Sequence, residues 1–200
     1  MAGFSNHAGR MVAVLEDNID TDRIIPARYL TRVTRSGYGD LLFKDVRSAS
    51  FPLDMPGAEG ASILVVGSNF GCGSSREHAV WAIQQAGFKA VISRFTDTTP
   101  GFSDIFRQNA ANCGLLLIEL SEKDHLELAQ HPVGTLATVD LQNQTVSVGP
   151  RHFGFEINSA AKEAILNGLD LIGSTLLLED KIKYFESHHD AFAMATAGGE

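Results

Sequence analysis

Residues 67–78 read GSNFGCGSSREH and combine backbone freedom, hydroxyl groups and one cation at a single point. The run follows the apolar segment ASILVV and precedes AVWAIQQAGF, which has the pattern of a helix. Ser74 and Ser75 are therefore predicted to lie at a helix start, where free N–H groups favour anions. Arg76 adds a planar cation that can bind a carboxylate through two hydrogen bonds. The turn thus predicts an anion site, and the ordinary alternative is a serine cap beside a solvent-facing arginine.

Three common motifs do not fit this turn. A P-loop requires a lysine before Ser or Thr, and the turn has none. A G-x-G-x-x-G fingerprint starting at Gly71 would need a third glycine where Arg76 stands, and a G-x-S-x-G elbow is absent. Gly71 and Gly73 instead allow positive φ angles and a close backbone approach. The local positive potential also favours a deprotonated Ser74, which can act as a base if further positive charge comes from outside the chain.

A strand–turn–helix–strand order positions the turn. Three candidate strands rich in apolar and β-branched residues are Met11–Glu16, Ala61–Val66 and Lys89–Ser93. A helix from about Ser75 to Ala86 joins the second strand to the third, so these two strands are predicted to be parallel. Later elements are predicted as a helix at 103–113, a strand at 115–120, a helix at 121–130, a hairpin at 135–149, a strand at 152–157 and two closing helices.

The chain is therefore predicted to be an α/β protein with a mixed sheet. No linker, repeat or low-complexity segment divides it, so residues 1–200 are expected to form a single domain. Flexible ends are expected at 1–10 and 192–200. A hydrophobic fraction of 44% fits a globular core, no apolar run is long enough to cross a bilayer, and the N-terminus lacks a secretion signal. A cytoplasmic location without membrane contact follows as an expectation.

The net charge and the cysteine content argue against several classes of protein. The net charge of −8 argues against nucleic-acid binding, which rests on clustered Lys and Arg. The segment 23–35 concentrates four arginines without an acidic residue, as either an anion-binding face or a solvated basic face. Cys72 and Cys113 are the only cysteines, too few for a disulfide framework or, alone, for an iron–sulfur cluster or structural zinc. No metal site is expected in this chain.

The segments GCGSSREHAVWAI and NIDTDRIIPARYLTRVTRSGYGDLLF resemble the small subunits of 3-isopropylmalate dehydratase, which correspond to the swivelling domain of aconitase. LNGLDLIGSTLLLEDKIKYFE is similar to the tail of the same family, so the resemblance covers nearly the whole chain. It implies a single swivelling β/β/α domain and a large-subunit partner that carries a [4Fe–4S] cluster. The implied reaction is the interconversion of 2- and 3-isopropylmalate by dehydration and rehydration, in leucine biosynthesis. The substrate would be a small carboxylate.

The resemblance also implies roles for individual positions. Ser74 matches a serine that removes the substrate proton, and Asp22 matches an aspartate that reaches the active site. The implied substrate-binding positions are Thr21, Tyr29, Leu30, Thr31, Arg32, Gly73, Ser75 and Arg76. Residues 29–32 match the segment that selects the side group of the substrate. Both Arg32 and Arg35 lie near the position of a second substrate-binding arginine, and the sequence leaves that choice open.

The chain departs from the family pattern after the third strand. Residues 94–101, RFTDTTPG, are interposed before F-S-D-I-F, and RQNAANCG replaces a commoner asparagine-rich form. The inserted segment indicates either a paralogue with another substrate or a tolerated surface loop, and the loop is the more ordinary explanation. Two alternative functions remain open: a sister hydro-lyase acting on citraconate, dimethylmaleate or homoaconitate, and a non-catalytic anion-binding module.

Overall fold

The computed structural model describes residues 3–31, 34–169 and 171–188. Seven strands form one mixed sheet: β1 (Asn6–Val14), β2 (Ala61–Val66), β3 (Ala90–Phe95), β4 (Leu116–Ser121), β5 (Leu136–Asp140), β6 (Thr145–Val148) and β7 (Arg151–Gly154). The strand order is β4-β3-β2-β1-β5-β6-β7. Strands β1 to β4 are mutually parallel, whereas β5, β6 and β7 join by antiparallel pairing. The predicted α/β class, mixed sheet and parallel β2–β3 pair are confirmed.

The described residues form seven α-helices: α1 (Thr21–Ile24), α2 (Glu77–Gln85), α3 (Asp104–Cys113), α4 (Glu122–Ala129), α5 (Ser159–Asn167), α6 (Leu171–Leu176) and α7 (Glu179–His188). Helices α2 and α3 pack on one face of the sheet and helices α4 and α5 on the other. Alternate residues of β2 point to opposite faces, as strand geometry requires. Leu64 packs in one buried cluster with Ile83 of α2 and Phe106 of α3. Ile63 packs in the other cluster with Leu128 of α4. No helix within the described ranges is long and apolar enough to cross a membrane.

Helix ends follow the local signals of the sequence. The Ser103 hydroxyl accepts the Phe106 N–H and starts α3, and Gly114 ends that helix in the left-handed conformation at φ 68°. The Ser121 hydroxyl likewise accepts the Asp124 N–H at the start of α4. Side-chain caps and glycine stops of this kind satisfy backbone groups that a helix leaves unpaired. The predicted boundaries of α3 are therefore confirmed at the residue level.

Several elements differ from the sequence prediction: the strand expected at 152–157 ends at Gly154, and three closing helices, α5, α6 and α7, form where two were expected. Strand β1 extends back to Asn6 because its first half pairs with β5, so the flexible end expected at 1–10 is ordered from Asn6 onward. Strand β3 runs on to Phe95, which pairs with Ser121 of β4. Helix α2 begins at Glu77 rather than near Ser75, because Arg76 takes the extended cap position at φ −141°. The other expected flexible end, 192–200, lies outside the described residues.

The carboxyl ends of the parallel strands meet at one edge of the sheet. The loop after β1 leads into α1, the loop after β2 is the glycine-rich turn, and the loop after β3 leads into α3. Ligands of open parallel sheets bind at this edge, where loops from neighbouring strands converge. The fold therefore brings together segments that lie about fifty residues apart in the sequence.

Candidate active site

Two loops interlock at the carboxyl edge. The Asn18 N–H donates to the Ser68 carbonyl at 2.9 Å, and the Gly71 N–H donates to the Ile19 carbonyl at 2.8 Å. Further along, the Thr21 N–H donates to the carbonyl of Cys72 at 3.0 Å. Residues 17–22, named here the aspartate loop, therefore run alongside residues 67–76, the glycine-rich turn. Backbone hydrogen bonds fix the register of one loop against the other.

The two loops also share side-chain contacts. Nη1 of Arg76 lies 2.5 Å from Oδ1 of Asp22. That nitrogen is buried and makes no hydrogen bond, so the attraction of the two charges accounts for the contact. The Arg76 side chain is 15% exposed and the Asp22 side chain 52%, so the carboxylate is the more solvated partner. The structure thus joins two residues that the sequence analysis had singled out separately.

Ser74 and Ser75 are exposed on the outer side of the turn. The Thr21 hydroxyl donates to the Ser74 carbonyl at 2.9 Å, and Thr21 itself is only 1% exposed. The side-chain amide of Asn109, on α3, donates to the Ser75 hydroxyl oxygen at 3.2 Å. Because that oxygen accepts from Asn109, the hydroxyl hydrogen of Ser75 remains available to a ligand. Sequence reasoning missed Asn109, whose only signal is its place on the helix that follows β3.

Glycine is required where the turn touches α3. Gly71 has φ 74°, and a Cβ there would lie 2.3 Å from Cγ of Phe106. Gly73 has φ 86° and is exposed, with the nearest atom to an added Cβ, Cβ of Asp20, at 3.6 Å. The expected positive φ angles are therefore confirmed at both positions. The first glycine permits close packing and the second permits the reversal that presents Ser74.

We expect Gly71→Ala to lower the free energy of unfolding by about 3 kcal/mol, because left-handed strain and steric overlap with Phe106 add together. Gly60→Ala is the matched control: Gly60 also has positive φ, 67°, but an added Cβ there meets nothing within 4 Å. The control should lose only about 1 kcal/mol through strain. Urea unfolding of both variants measures the difference. Equal losses would show that the contact with Phe106 adds nothing.

Asp17 anchors the start of the aspartate loop. Its Oδ1 accepts the Ser68 N–H at 2.7 Å, and its two carboxylate oxygens lie 2.8 and 2.6 Å from Nη2 of Arg94. Burial alone would raise the pKa of Asp17, but hydrogen bonds from Ser68 and the Arg94 guanidinium together hold it below the usual range. Neither Asp17 nor Arg94 was among the expected site residues. They lie 77 residues apart, and no local pattern connects them.

His125 lies directly beneath the turn. This α4 residue is completely buried, and its Nε2 lies 2.7 Å from the carbonyl oxygen of Val66, the last residue of β2. Its Nδ1 is buried without a hydrogen-bond partner. Burial lowers the pKa of His125, and the charge of Arg94 lowers it further. The hydrogen bond with the Val66 carbonyl and the charge of Asp17 act in the opposite direction, but the net pKa remains below the usual value. The neutral ring is therefore the form that the fold accommodates.

This burial predicts a pH-dependent stability. The unfolded chain takes up a proton at His125 near pH 6.5, whereas the folded chain does so only at lower pH. Stability is therefore lost as pH falls below about 6.5, by up to about 1.4 kcal/mol per pH unit for one proton. Urea unfolding between pH 7.5 and 5.5 should show a shallower decline for His125→Gln than for the wild type. Parallel declines would rule out a contribution from this histidine.

Comparisons with known proteins identify the family of this chain. Residues 1–123 match the aconitase C-terminal domain family. A protein of Acidobacterium capsulatum named 3-isopropylmalate dehydratase small subunit is 46% identical over 188 residues, covering 91% of this chain and 88% of its own. A Bacillus cereus protein of the same name is 40% identical over 199 residues, covering 96% of this chain and 100% of its own. This chain belongs to the 3-isopropylmalate dehydratase small-subunit family.

A solved structure agrees with this family assignment. The crystal structure of a 3-isopropylmalate dehydratase protein from Methanocaldococcus jannaschii superposes with a TM-score of 0.66 at 28% identity. The match covers 91% of this chain and 99% of the other. The aconitase-type swivelling fold inferred from the sequence is therefore confirmed for this small-subunit family member.

The segment expected to select the substrate side group has a mixed environment. Tyr29 and Leu30 pack partly buried against the core beside α2 and α3, and Thr31 is exposed. The guanidinium of Arg28 lies over the Tyr29 ring, 4.5 Å from its centre. Arg32 lies outside the described residues. These placements leave the expected roles of the four positions as predictions.

Arg35 is the described member of the two candidate arginines. Its guanidinium lies over the Trp81 ring of α2, 4.9 Å from the ring centre. Its carbonyl accepts the side-chain amide of Gln85 at 2.7 Å. Arg35 is therefore held along α2, and the choice between Arg32 and Arg35 as a substrate-binding residue stays a prediction.

The cysteines do not form a cluster-binding set. The Cys72 thiol, partly exposed in the turn, donates to the Asn18 carbonyl, and burial raises its pKa. Cys113 ends α3, where burial and a hydrogen bond to Glu77 raise its pKa to about 12. Iron and zinc are bound by thiolates, which a raised pKa disfavours. Within residues 3–31, 34–169 and 171–188, no group of three His, Cys, Asp or Glu side chains is arranged for a metal ion.

The tip of the glycine-rich turn is open to solvent. Three clefts of 650–750 Å³ lie elsewhere, between α3 and α5, beside the 39–61 segment, and between β4 and the β6–β7 hairpin. Ser74, Ser75 and Gly73 are open to solvent instead. A reaction that requires exclusion of water would need a second surface to close over them.

Proposed function

We propose that this chain is the small subunit of a heteromeric hydro-lyase that interconverts 2-isopropylmalate and 3-isopropylmalate in leucine biosynthesis, in the cytoplasm. The observation that carries the proposal is the interlocked pair of loops. It presents Ser74, Ser75 and Arg76 with Asp22 at one open edge, in a chain whose relatives bear that enzyme's small-subunit name. The proposal includes the substrate, the partner and the roles of the individual residues.

Ser74 is assigned as the base. In dehydration its oxygen takes a proton from the CH₂ carbon of 2-isopropylmalate while hydroxide leaves the adjacent carbon, giving the unsaturated diacid. In rehydration Ser74 returns the proton to the isopropyl-bearing carbon and hydroxide adds to the other. An alkoxide at this position would be favoured by the Arg76 charge two residues further along the chain. General acid–base groups typically contribute about 10²- to 10⁴-fold in rate.

Arg76 and Ser75 are assigned to the substrate carboxylate. A guanidinium can hold a carboxylate through two parallel hydrogen bonds, which fixes its orientation as well as its position. The Ser75 hydroxyl, whose oxygen accepts from Asn109, can donate to the same carboxylate. Gly73 lets the substrate approach the backbone closely. Fixed geometry of this kind lowers the entropic barrier to proton transfer.

Asp22 and Thr21 are assigned supporting roles. Asp22 holds Arg76 through the contact at 2.5 Å and is half exposed, so its other face can meet a second subunit. Thr21 fixes the backbone of Ser74 through its hydroxyl. Tyr29, Leu30 and Thr31 are proposed to contact the isopropyl group, together with Arg32.

The [4Fe–4S] cluster is assigned to the large subunit. Cys72 and Cys113 do not fit a cluster in this chain, because their thiols engage other groups and have raised pKa values. The exposed turn fits a site completed by a partner surface, and the relatives' small-subunit name supports a heteromeric assembly. When bound there, the cluster would supply a Lewis acid for the hydroxyl group that leaves and returns.

A substrate panel tests the proposed function. The chain is co-expressed with the large subunit of the same genome, reconstituted anaerobically and assayed with 2-isopropylmalate, citraconate, dimethylmaleate and homoaconitate. The highest kcat/KM is expected for 2-isopropylmalate. Turnover of another acid without turnover of isopropylmalate would assign the chain to a sister hydro-lyase. Failure to bind any large subunit would favour a non-catalytic anion-binding module.

A further inference from the structure

Arg94 lies one residue before the end of β3 and is the first residue of the inserted segment 94–101. Its Nη2 lies 2.8 and 2.6 Å from the two carboxylate oxygens of Asp17, and its side chain is only 17% exposed. The same carboxylate accepts the Ser68 N–H at 2.7 Å. One ion pair therefore ties the end of β3 to the aspartate loop and to the start of the glycine-rich turn.

Backbone contacts attach the inserted segment to the same turn. The Asn69 and Phe70 N–H groups donate to the carbonyls of Pro100 and Gly101 at 2.8 and 2.9 Å. The buried Ser93 hydroxyl lies 2.5 Å from the Gly67 carbonyl oxygen and 2.7 Å from that of Gly101. The segment is thus a second support of the turn rather than a free surface loop.

The backbone packs closely around the Asp17–Arg94 ion pair. A Cβ on Gly67 would lie 2.3 Å from the Glu16 carbonyl oxygen and 2.5 Å from Oδ1 of Asp17. The aspartate loop and the turn therefore touch through backbone at this point, and the position of Asp17 determines how the loop continues toward Asp22. Removing the charge on Arg94 would leave the partly buried Asp17 carboxylate without its cationic partner.

We propose that Arg94 is a positioning residue for the proposed reaction. Acting through Asp17, it holds the aspartate loop against the glycine-rich turn, so that Asp22, Arg76 and Ser74 keep their relative positions. This inference rests on the proposed function for its catalytic part, whereas the positioning itself is a property of this chain alone. A displacement of about 1 Å at a reacting group can cost about a hundredfold in rate.

The test compares Arg94→Met, Arg94→Lys and Asp17→Asn in the reconstituted complex. Arg47→Met is the control, because Arg47 also pairs with an aspartate, Asp54, although its side chain is 34% exposed against 17% for Arg94. We expect kcat to fall about 10- to 100-fold in Arg94→Met and Asp17→Asn, with KM within threefold and part of the loss restored in Arg94→Lys. The control should keep its kcat within twofold.

Amide hydrogen exchange of the chain alone supplies a readout independent of activity. The N–H groups of Asn18, Thr21 and Gly71 cross between the two loops, so their exchange should accelerate at least tenfold in Arg94→Met and Asp17→Asn. Amides of α4 and β5 should be unaffected. If Arg94→Met or Asp17→Asn is too unstable to assay, the exchange of the same amides is compared between Arg94→Lys and the wild type.

Two results would overturn the inference. Unchanged exchange at these three amides would show that Arg94 does not hold the loops together. A fall in kcat that accompanies equal acceleration of exchange throughout the chain would show a general loss of stability instead. A wild-type complex inactive toward isopropylmalate would defeat the proposed function, while the exchange experiment would still decide whether Arg94 positions the loops.

Discussion

Ser74→Ala is expected to lower kcat of the reconstituted complex by about 10²- to 10⁴-fold, the range typical of a general base. The loss should fall on kcat with little change in KM, because the carboxylate-binding groups Ser75 and Arg76 remain. The Ser74 side chain is exposed, and the contact from Thr21 is made to its backbone carbonyl. Folding and assembly should therefore survive the change. Steady-state kinetics with 2-isopropylmalate, with thermal unfolding in parallel, measures both.

Ser48→Ala provides the control for this variant. Ser48 is also an exposed serine, and its hydroxyl lies 3.1 Å from another surface hydroxyl, that of Ser50. Its kcat should remain within twofold of the wild type. If Ser74→Ala also turned over at a near-normal rate, the base would have to be another group.

Arg76→Ala is expected to lower kcat/KM by about 30- to 5,000-fold, since truncating one partner of a buried charge pair typically costs about 2–5 kcal/mol. Part of that loss reflects Asp22, which would lose its cationic partner at 2.5 Å. Arg76→Lys keeps the charge but not the planar fork, so it should recover only part of the activity. Separate kcat and KM values show whether binding or the chemical step is affected.

Arg151→Ala is the matched control for Arg76. Arg151, on β7, also pairs with a carboxylate, that of Glu127, but its side chain is 58% exposed. Exposed pairs of this type contribute little. A loss of activity as large as that of Arg76→Ala would contradict a specific carboxylate-binding role for Arg76.

Local sequence signals predicted those parts of the fold that depend on neighbouring residues. The Ser103 cap and the Gly114 stop define α3 because each acts within one helical turn. The glycine-rich turn was placed correctly between β2 and a helix because apolar runs flank it. The helix itself starts two residues later than predicted, since Arg76 adopts an extended backbone that its residue type does not signal.

Long-range pairing set the features that the sequence did not predict. The first half of β1 is ordered by β5, more than 120 residues further along the chain. The Asp17–Arg94 pair joins a turn-forming aspartate to a segment interpreted as a tolerated loop. Asn109 reaches Ser75 only because α3 packs beside α2. Such contacts depend on strand order and helix packing, which local patterns do not encode.

The candidate site likewise combines features that sequence motifs predicted with contacts that only the structure shows. The resemblance pointed to Asp22, Ser74 and Arg76 by their motifs, and the structure adds that the first and last of these touch. The choice between Arg32 and Arg35 stays open, because Arg32 lies outside the described residues and Arg35 is seen only to lie over the Trp81 ring. Motif spacing therefore identified residue types suited to anion chemistry, and tertiary structure determined which of them share a surface.

A reconstitution titration is the most direct test of the proposal that this chain and the large subunit each supply part of the active site. The large subunit, with its cluster rebuilt anaerobically, is mixed with increasing amounts of this chain, and formation of 3-isopropylmalate from 2-isopropylmalate is followed. Activity should rise from background to a plateau as the complex saturates, and the Ser74→Ala chain should compete for the large subunit without supporting turnover. Equal turnover by the large subunit alone, or a saturated wild-type complex without activity, would contradict the claim that this chain supplies half of the active site.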